Sequence, residues 1–170
     1  MTQADVLEVV DALAGLGFWL DGGWGIDALL GEQTRDHSDL DAAIDRDDLR
    51  EADRRLRGLG YERSPAVDPD DPARYVMWDT HGRQIDFHVL EFDANGDGWQ
   101  TLADGERARY PATDLAASGE IGRRTVPCIS PALQLRHHSG YGPTERDRLD
   151  LGRLASRFGL DLPDSLQIRT

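Results

Sequence analysis

FWLDGGWGIDALLGEQTRDHSDLD, residues 18–41, is the stretch on which the fold of the chain turns. It opens with an apolar strand, Phe18–Leu20, passes through a paired-glycine turn at Gly22 and Gly23, and continues as a short helix from Trp24 to Leu30. It closes on two carboxylates two residues apart, Asp39 and Asp41. A strand over 39–44 has a side-chain period of two, so both acids share one face. Leu40, Ala42 and Ile44 then form the opposite face, toward a core. Neighbouring carboxylates repel, and stay ionised together only when a positive charge stands between them; a divalent metal is the usual one. A glycine turn leading into a helix offers backbone N–H groups and the positive end of the helix dipole to phosphate. Together the two features describe a site for a magnesium-bound nucleotide. The competing reading is a solvated strand face, which an acidic chain displays often.

Working outward, Thr2 caps a first helix whose apolar positions Val6, Val9, Val10, Leu13 and Leu16 follow the helical period, with Gly17 as its end. Gly31 stops the short helix, and 31–38 is a polar loop carrying Arg35 and His37. After the Asp39–Ile44 strand, Asp45 or Asp47 caps a helix with Leu49, Ala52, Leu56 and Leu59 on one face, ended by Gly60. Residues 61–73, rich in Pro and Asp, read as a loop after a short strand. Two strand-like runs, Tyr75–Asp79 and Arg83–Leu90, flank DTHG as a hairpin. The second run puts Gln84, Asp86 and His88 on one face, so a third carboxylate also comes from a strand. DANGDGWQTLAD, residues 93–104, begins like a calcium loop but carries Asp104 at its last position, Gln100 where an apolar residue is usual, and a strand before it. A plain turn between strands is the better reading. Residues 121–128 form one short strand, Ser130-Pro131 starts a helix through Leu133, Leu135 and His138, and Gly140-Tyr-Gly-Pro143 breaks it. Thr144, with Asp147 three residues on, opens a last helix whose buried stripe is Leu151, Leu154, Ala155 and Phe158. The composite is an α+β fold: a mixed sheet flanked by helices, with a catalytic core over 1–128 and a small helical C-terminal part over 129–170.

Composition narrows the function. The 170 residues carry 32 acids and 19 bases, for a net charge of −13, and every base is arginine. Such a chain repels nucleic acid, because that affinity rests on neutralising phosphates. Acidity suits a cationic small substrate, although a composition biased toward Asp, Arg and Gly accounts for it equally well. Without lysine there is no Walker-type loop and no Schiff base. No apolar run approaches the roughly 18 residues that span a membrane. The first residues carry acid before their apolar positions, unlike a signal peptide, so the cytoplasm is the expected compartment. Cys128 is the one cysteine and reads as an inert thiol.

Asp39, Asp41 and Asp86 beside a glycine-rich phosphate loop fit nucleotidyl transfer. Magnesium takes one or two carboxylates plus substrate phosphates, and two such ions serve an in-line displacement. Arg35 and His37, just before the paired acids, are placed to contact phosphate oxygens. A carboxylate not saturated by metal can accept the proton of the attacking hydroxyl.

At this point the residues resemble a known family. WLDGGWGID, the run from Arg35 through His37 to Asp39 and Asp41, Ile85-Asp86-Phe87-His88 and VPCISPALQLRHHSGYGPTERDRLD at 126–150 are similar to the nucleotidyltransferase superfamily of polymerase-beta-like fold. Within it they look most like the short lincosamide nucleotidyltransferases, and more distantly like aminoglycoside nucleotidyltransferases. The resemblance implies transfer of AMP, or another NMP, from Mg-ATP or another NTP to a hydroxyl of a small antibiotic. It implies that Asp39 and Asp41 bind metal, that Asp86 is third ligand or general base, and that Gly22 and Gly23 hold the triphosphate with Arg35 assisting. It also suggests pairing into a homodimer. A different reading is an antitoxin-like relative that acts on or binds a protein. Residues 61–73 and 91–111 match the family poorly and are expected to line the acceptor site.

Other residues carry simpler expectations. Asp27 reads as a surface acid of the short helix, and Arg35, if not on phosphate, as a partner of Asp36 or Glu32. His88 reads as filler of the sheet face beside Asp86. Of His137 and His138, which diverge by about 100° on a helix, one is expected to pack and the other to face solvent. Trp19 and Trp24 read as core, while Tyr141 and Asp147 are either a joint between helices or ligand contacts.

Overall fold

A computed structural model describes residues 1–65, 74–138, 142, 144–163 and 166. The alternation read in residues 39–44 places them at the centre of a mixed sheet. Strand β1 (Phe18–Asp21) pairs antiparallel with β2 (Asp39–Asp45), and β2 pairs parallel with β5 (Gln84–Phe92). Beyond β5 lie β4 (Arg74–Trp78) and β3 (Glu62–Arg63), both antiparallel. The far end of β5 carries β6 (Gly98–Thr101), which pairs with β7 (Arg107–Tyr110). The predicted hairpin around DTHG is the β4–β5 pair, its turn held by Asp79 Oδ1, which accepts the N–H groups of His81 and Arg83 at 2.9 Å each.

One sheet face is covered by helices α1 (Gln3–Ala12) and α3 (Leu49–Arg57). Val6, Val9 and Leu13 from the first helix region meet Leu40, Ala42, Ile44, Ile85, Phe87 and Leu56 in the principal core. Thr2 caps α1 as predicted, in a capping box with Asp5, although the helical residues stop before Leu13. Helix α3 departs from expectation at both ends. Its N-cap is Asp48, whose side chain accepts Gly17 N–H at 2.7 Å instead of capping its own helix. Asp45 turns to the N–H of Asp47, and the helix closes at Gly58, two residues before Gly60.

The glycine turn is itself helical: α2 spans Gly22–Leu30, with the predicted stop at Gly31 in left-handed conformation. The expected single strand over 121–128 is a hairpin of β8 (Ser118–Ile121) and β9 (Arg124–Pro127), folded over α2. Gly122 and Arg123, both with positive φ, make its turn, and only the first is a residue type that announces one. Helix α4 (Pro131–His138) begins as predicted, with Ser130 Oγ accepting Leu133 N–H at 3.1 Å. Helix α5 (Glu145–Phe158) has the capping box of Thr144 and Asp147. Its Leu151, Leu154 and Ala155 pack with Leu135 against Ile26 of α2, whereas Phe158 stays outside that cluster and is 40% exposed. Residues 66–73 and Tyr141 lie outside the described residues.

Residues 93–97 form a turn between β5 and β6. Asp93 accepts the N–H groups of Asn95 and Asp97 and the indole of Trp99, and Asp97 pairs with Arg109. These carboxylates are engaged by the protein itself, as a turn requires and a calcium loop does not. Cys128 is fully buried, and burial pushes its thiol up to about 12, in keeping with an inert residue. Among the described residues no helix is long and apolar enough to cross a membrane.

Ile85, the second residue of β5, has no exposed surface. Ile85→Ala is expected to cost about 2–5 kcal/mol through lost burial and an unfilled cavity, measured by urea denaturation.

Candidate active site

The sheet face opposite the principal core carries the acids. Strand register aligns Asp21, Asp41 and Asp86 side by side across β1, β2 and β5, and puts Asp39 beside Gln84 one step along. In-register positions on paired strands point the same way, so the alternation that buries Leu40 and Ile85 also gathers the carboxylates.

Each acid is compensated differently. Buried Asp21 accepts the Gly22 N–H at 2.7 Å with Oδ1, while Oδ2 lies 3.2 Å from His88 Nδ1 and 3.7 Å from His137 Nδ1. Burial alone would raise its pKa, but hydrogen bonds and charge from the two imidazoles outweigh this and hold the carboxyl low. For His88 burial opposes the charged form, and the hydrogen bond to Asp21 with the charges of Asp21, Asp41 and Asp86 reverses the sign. Asp86 is ion-paired with Arg74 of β4. Among the described residues Asp41 has no such partner. Burial raises its carboxyl from the ordinary 3.8 to about 7, and Asp39, Asp21 and Asp86 add to the rise against the opposing pull of His88. Uncompensated negative charge at Asp41 is what a divalent cation would neutralise. Among the described residues no three acidic, His or Cys side chains already form a closed metal shell.

The glycine pair separates these acids from a second group. Gly22 has φ +56°, and a Cβ there would collide with Asp41 Oδ2. A Cβ on Gly23 would collide with the His37 ring and come within 3.1 Å of Arg35 Nη2. Both glycines therefore leave the start of α2 free of side chains, so that Asp41, His37 and Arg35 lie against its backbone; Asp21 Oδ1 caps the Gly22 N–H there, at the positive end of the dipole. Arg35 and His37 are thus brought together over Gly23.

Asp27 is not a surface acid. It is 2% exposed, and its Oδ2 lies 2.5 Å from His37 Nε2, while Oδ1 accepts Thr34 N–H at 3.1 Å and Oγ–H at 2.7 Å. The His37 ring also lies 4.9 Å from that of Trp24, a buried core residue as expected. Arg35 bonds neither Glu32 nor the Asp36 side chain; its Nε donates to Asp150 Oδ2 of α5 at 2.8 Å and its Nη1 to the Asp36 carbonyl at 3.1 Å. His88 is no filler, being bonded to Asp21 and lying 3.2 Å from the Tyr110 hydroxyl. His137 stacks edge-on against Tyr110 at 4.5 Å. His138 lies 3.8 Å from Asp147 with its pKa lowered by burial, so neither member of that pair faces solvent. Asp147 is a capping residue.

Asp21, Tyr110 and Asp150 were missed as site residues. Asp21 has a signal, since strand alternation puts it opposite Phe18 and Leu20. Asp150 has a weaker one, being four residues before the buried Leu154. Tyr110 has none.

A family model described as aminoglycoside-2''-adenylyltransferase matches residues 4–154. The chain belongs to that family. It is, with the family, a nucleotidyltransferase. A lincosamide resistance protein of Staphylococcus haemolyticus is 31% identical over 159 residues, covering 92% of this chain and 96% of that protein. The crystal structure of the lincosamide antibiotic adenylyltransferase LnuA with lincomycin bound matches with a TM-score of 0.78 and 30% identity, over 92% of this chain and 98% of that one. ANT(2'')-Ia in complex with adenylyl-2''-tobramycin shares the fold, with a TM-score of 0.71 at 18% identity over 92% and 89% of the two chains. The expected α+β nucleotidyltransferase fold is thereby established.

Two outcomes follow for this nucleotidyltransferase. Gly22→Ala should destabilise by about 1–2 kcal/mol from left-handed backbone strain, seen in urea denaturation, and lower turnover by about a hundredfold through displacement of Asp41. The raised Asp41 carboxyl means that stability is lost as pH rises from about 4 through about 7. In magnesium-free buffer Asp41→Asn should therefore raise the melting temperature near pH 8 and leave it nearly unchanged near pH 4, with added magnesium narrowing the gap.

Proposed function

We propose that this protein inactivates a lincosamide-class antibiotic by moving AMP from magnesium-bound ATP to one of its hydroxyls. The observation that carries this reading is the in-register row of Asp21, Asp41 and Asp86 beside the open first turn of α2. The lincosamide acceptor is favoured by the 31% identity to a lincosamide resistance protein over nearly the whole of both chains.

In this reading residues 1–128 form the catalytic core and 129–170 a helical segment packed on it. Gly22, Gly23, Arg35 and His37 receive the triphosphate at the N-terminus of α2. Asp39 and Asp41 would hold magnesium with Asp86 as a third ligand, and the metal would supply positive charge against the phosphates. The acceptor oxygen attacks the α-phosphorus, the bond from that phosphorus to the pyrophosphate oxygen breaks, and pyrophosphate leaves. Asp86 takes the acceptor's proton, which requires its carboxylate to exchange Arg74 for the substrate hydroxyl. Arg74 is half exposed at the strand edge, so it can swing away without disturbing the core. Buried Tyr110, whose hydroxyl donates to buried Gln100 Oε1 at 3.1 Å and whose ring packs against His137, supports the acid row from within the core.

A second acceptor, an aminoglycoside, is favoured by the family model that covers residues 4–154. Its several ammonium groups would call for a cluster of carboxylates around the reacting hydroxyl. Incubation with Mg-ATP and lincomycin, or tobramycin, followed by mass spectrometry, is expected to show one added AMP on lincomycin. Addition to tobramycin alone would reassign the acceptor, and addition to neither by the folded protein would defeat both readings. Asp41→Asn is expected to abolish the added mass while the protein remains folded by circular dichroism; retained turnover would remove Asp41 from the mechanism.

A further inference from the structure

Arg35 is supplied by the loop between α2 and β2, and such a loop holds a long side chain loosely. Its guanidinium is nevertheless fully directed. Nε donates to Asp150 and Nη1 to the Asp36 carbonyl, which leaves Nη2 beside Gly23. The Asp150 side chain is only 6% exposed, and it arrives from α5, 115 residues along the chain. Its place is set by the neighbouring Leu151, Leu154 and Ala155, which seat α5 on Ile26 of α2. The same helix, α2, thus carries the glycines at its start and receives α5 on its flank.

Burying a carboxylate requires a close, well-formed partner, which Arg35 Nε supplies to Asp150, while Asp21 caps the N-terminus of α2 through the Gly22 N–H. Neither contact uses Arg35 Nη2, which stays beside Gly23. Holding a guanidinium at the positive end of α2 gains most when an anion also occupies that point. A planar fork fixed at two of its nitrogens presents the third in one direction, so little rotamer freedom is lost when a phosphate oxygen binds.

We infer that Asp150 is a positioning residue that aims Arg35 at the donor triphosphate, so that the C-terminal helix completes the nucleotide site. The inference rests on the reading of Arg35 as a triphosphate ligand. Asp150 touches no substrate and acts through the guanidinium.

The test uses the full chain and measures the Kd of a magnesium-bound, non-hydrolysable ATP analogue by calorimetry, the Kd of lincomycin, and the melting temperature. Asp150→Asn is expected to weaken analogue binding by about tenfold and to leave lincomycin binding within about twofold. Arg35→Lys, which keeps the charge and loses the fork, is expected to do the same. The double variant should bind the analogue no more weakly than the worse single one, because the two residues form one unit. Should Asp150→Asn fail to fold, Asp150→Glu, which keeps the charge and shifts it by one methylene, replaces it with the same expectation. Equal weakening of both ligands, a change confined to the melting temperature, or multiplied losses in the double variant would overturn the inference. If Arg35→Lys leaves analogue binding unchanged, the reading of Arg35 as a triphosphate ligand fails. If only the Asp150 variants leave it unchanged, that reading stands and the positioning role falls.

Discussion

Repulsion among carboxylates aligned across β1, β2 and β5 is the constraint around which this protein is arranged. Strand register sets Asp21, Asp41 and Asp86 side by side, with Asp39 one step along. Their partners come from every part of the chain. His88 and His137 hold Asp21, and Arg74 from the neighbouring strand holds Asp86. Asp41 remains, pushed up to about 7 by burial and by its neighbours. A site whose remaining charge is negative, beside a helix N-terminus whose dipole is positive, meets each half of the proposed magnesium-bound triphosphate with the opposite sign.

Helix α2 couples the two halves. Its first turn is kept open by Gly22 and Gly23, against Asp41 on one side and against His37 and Arg35 on the other. Further along, Asp27 accepts from His37 and from Thr34, and Ile26 receives the C-terminal helix. Nearly every residue of this helix from Gly22 to Ala28 is buried. Such burial gives the groups at its first turn a rigid mount, which a glycine turn alone would lack.

Much of this was legible in the sequence because it depends on short periods. The alternation through 39–44 predicts both the core face and the acid face, and the 84–88 alternation adds Asp86 in the same way. The cap at Thr2, the capping pair Thr144/Asp147 and the stop at Gly31 are local chemistry and appear where expected. The misreadings share another cause. Asp27 looked like a surface acid because a nine-residue helix with one charge is ordinarily amphipathic; it is enclosed by strands, α5 and the loop that follows it. The cap of α3 moved because Asp48 is used by Gly17, in a segment 31 residues earlier. The β8–β9 hairpin was hidden because Arg123 occupies a left-handed position that the residue type does not announce.

The sequence by itself determined the α+β character, the strand faces, the three carboxylates and the glycine pair, since each follows from a period of two, a cap or a steric rule acting over a few residues. Only the tertiary structure decided which charges meet. The parallel pairing of β2 with β5 puts Asp41 beside Asp86, and the seating of α5 on α2 puts Asp150 under Arg35. Those pairings join residues 45 and 115 positions apart, where no local period operates and only the packing of whole elements selects the neighbour.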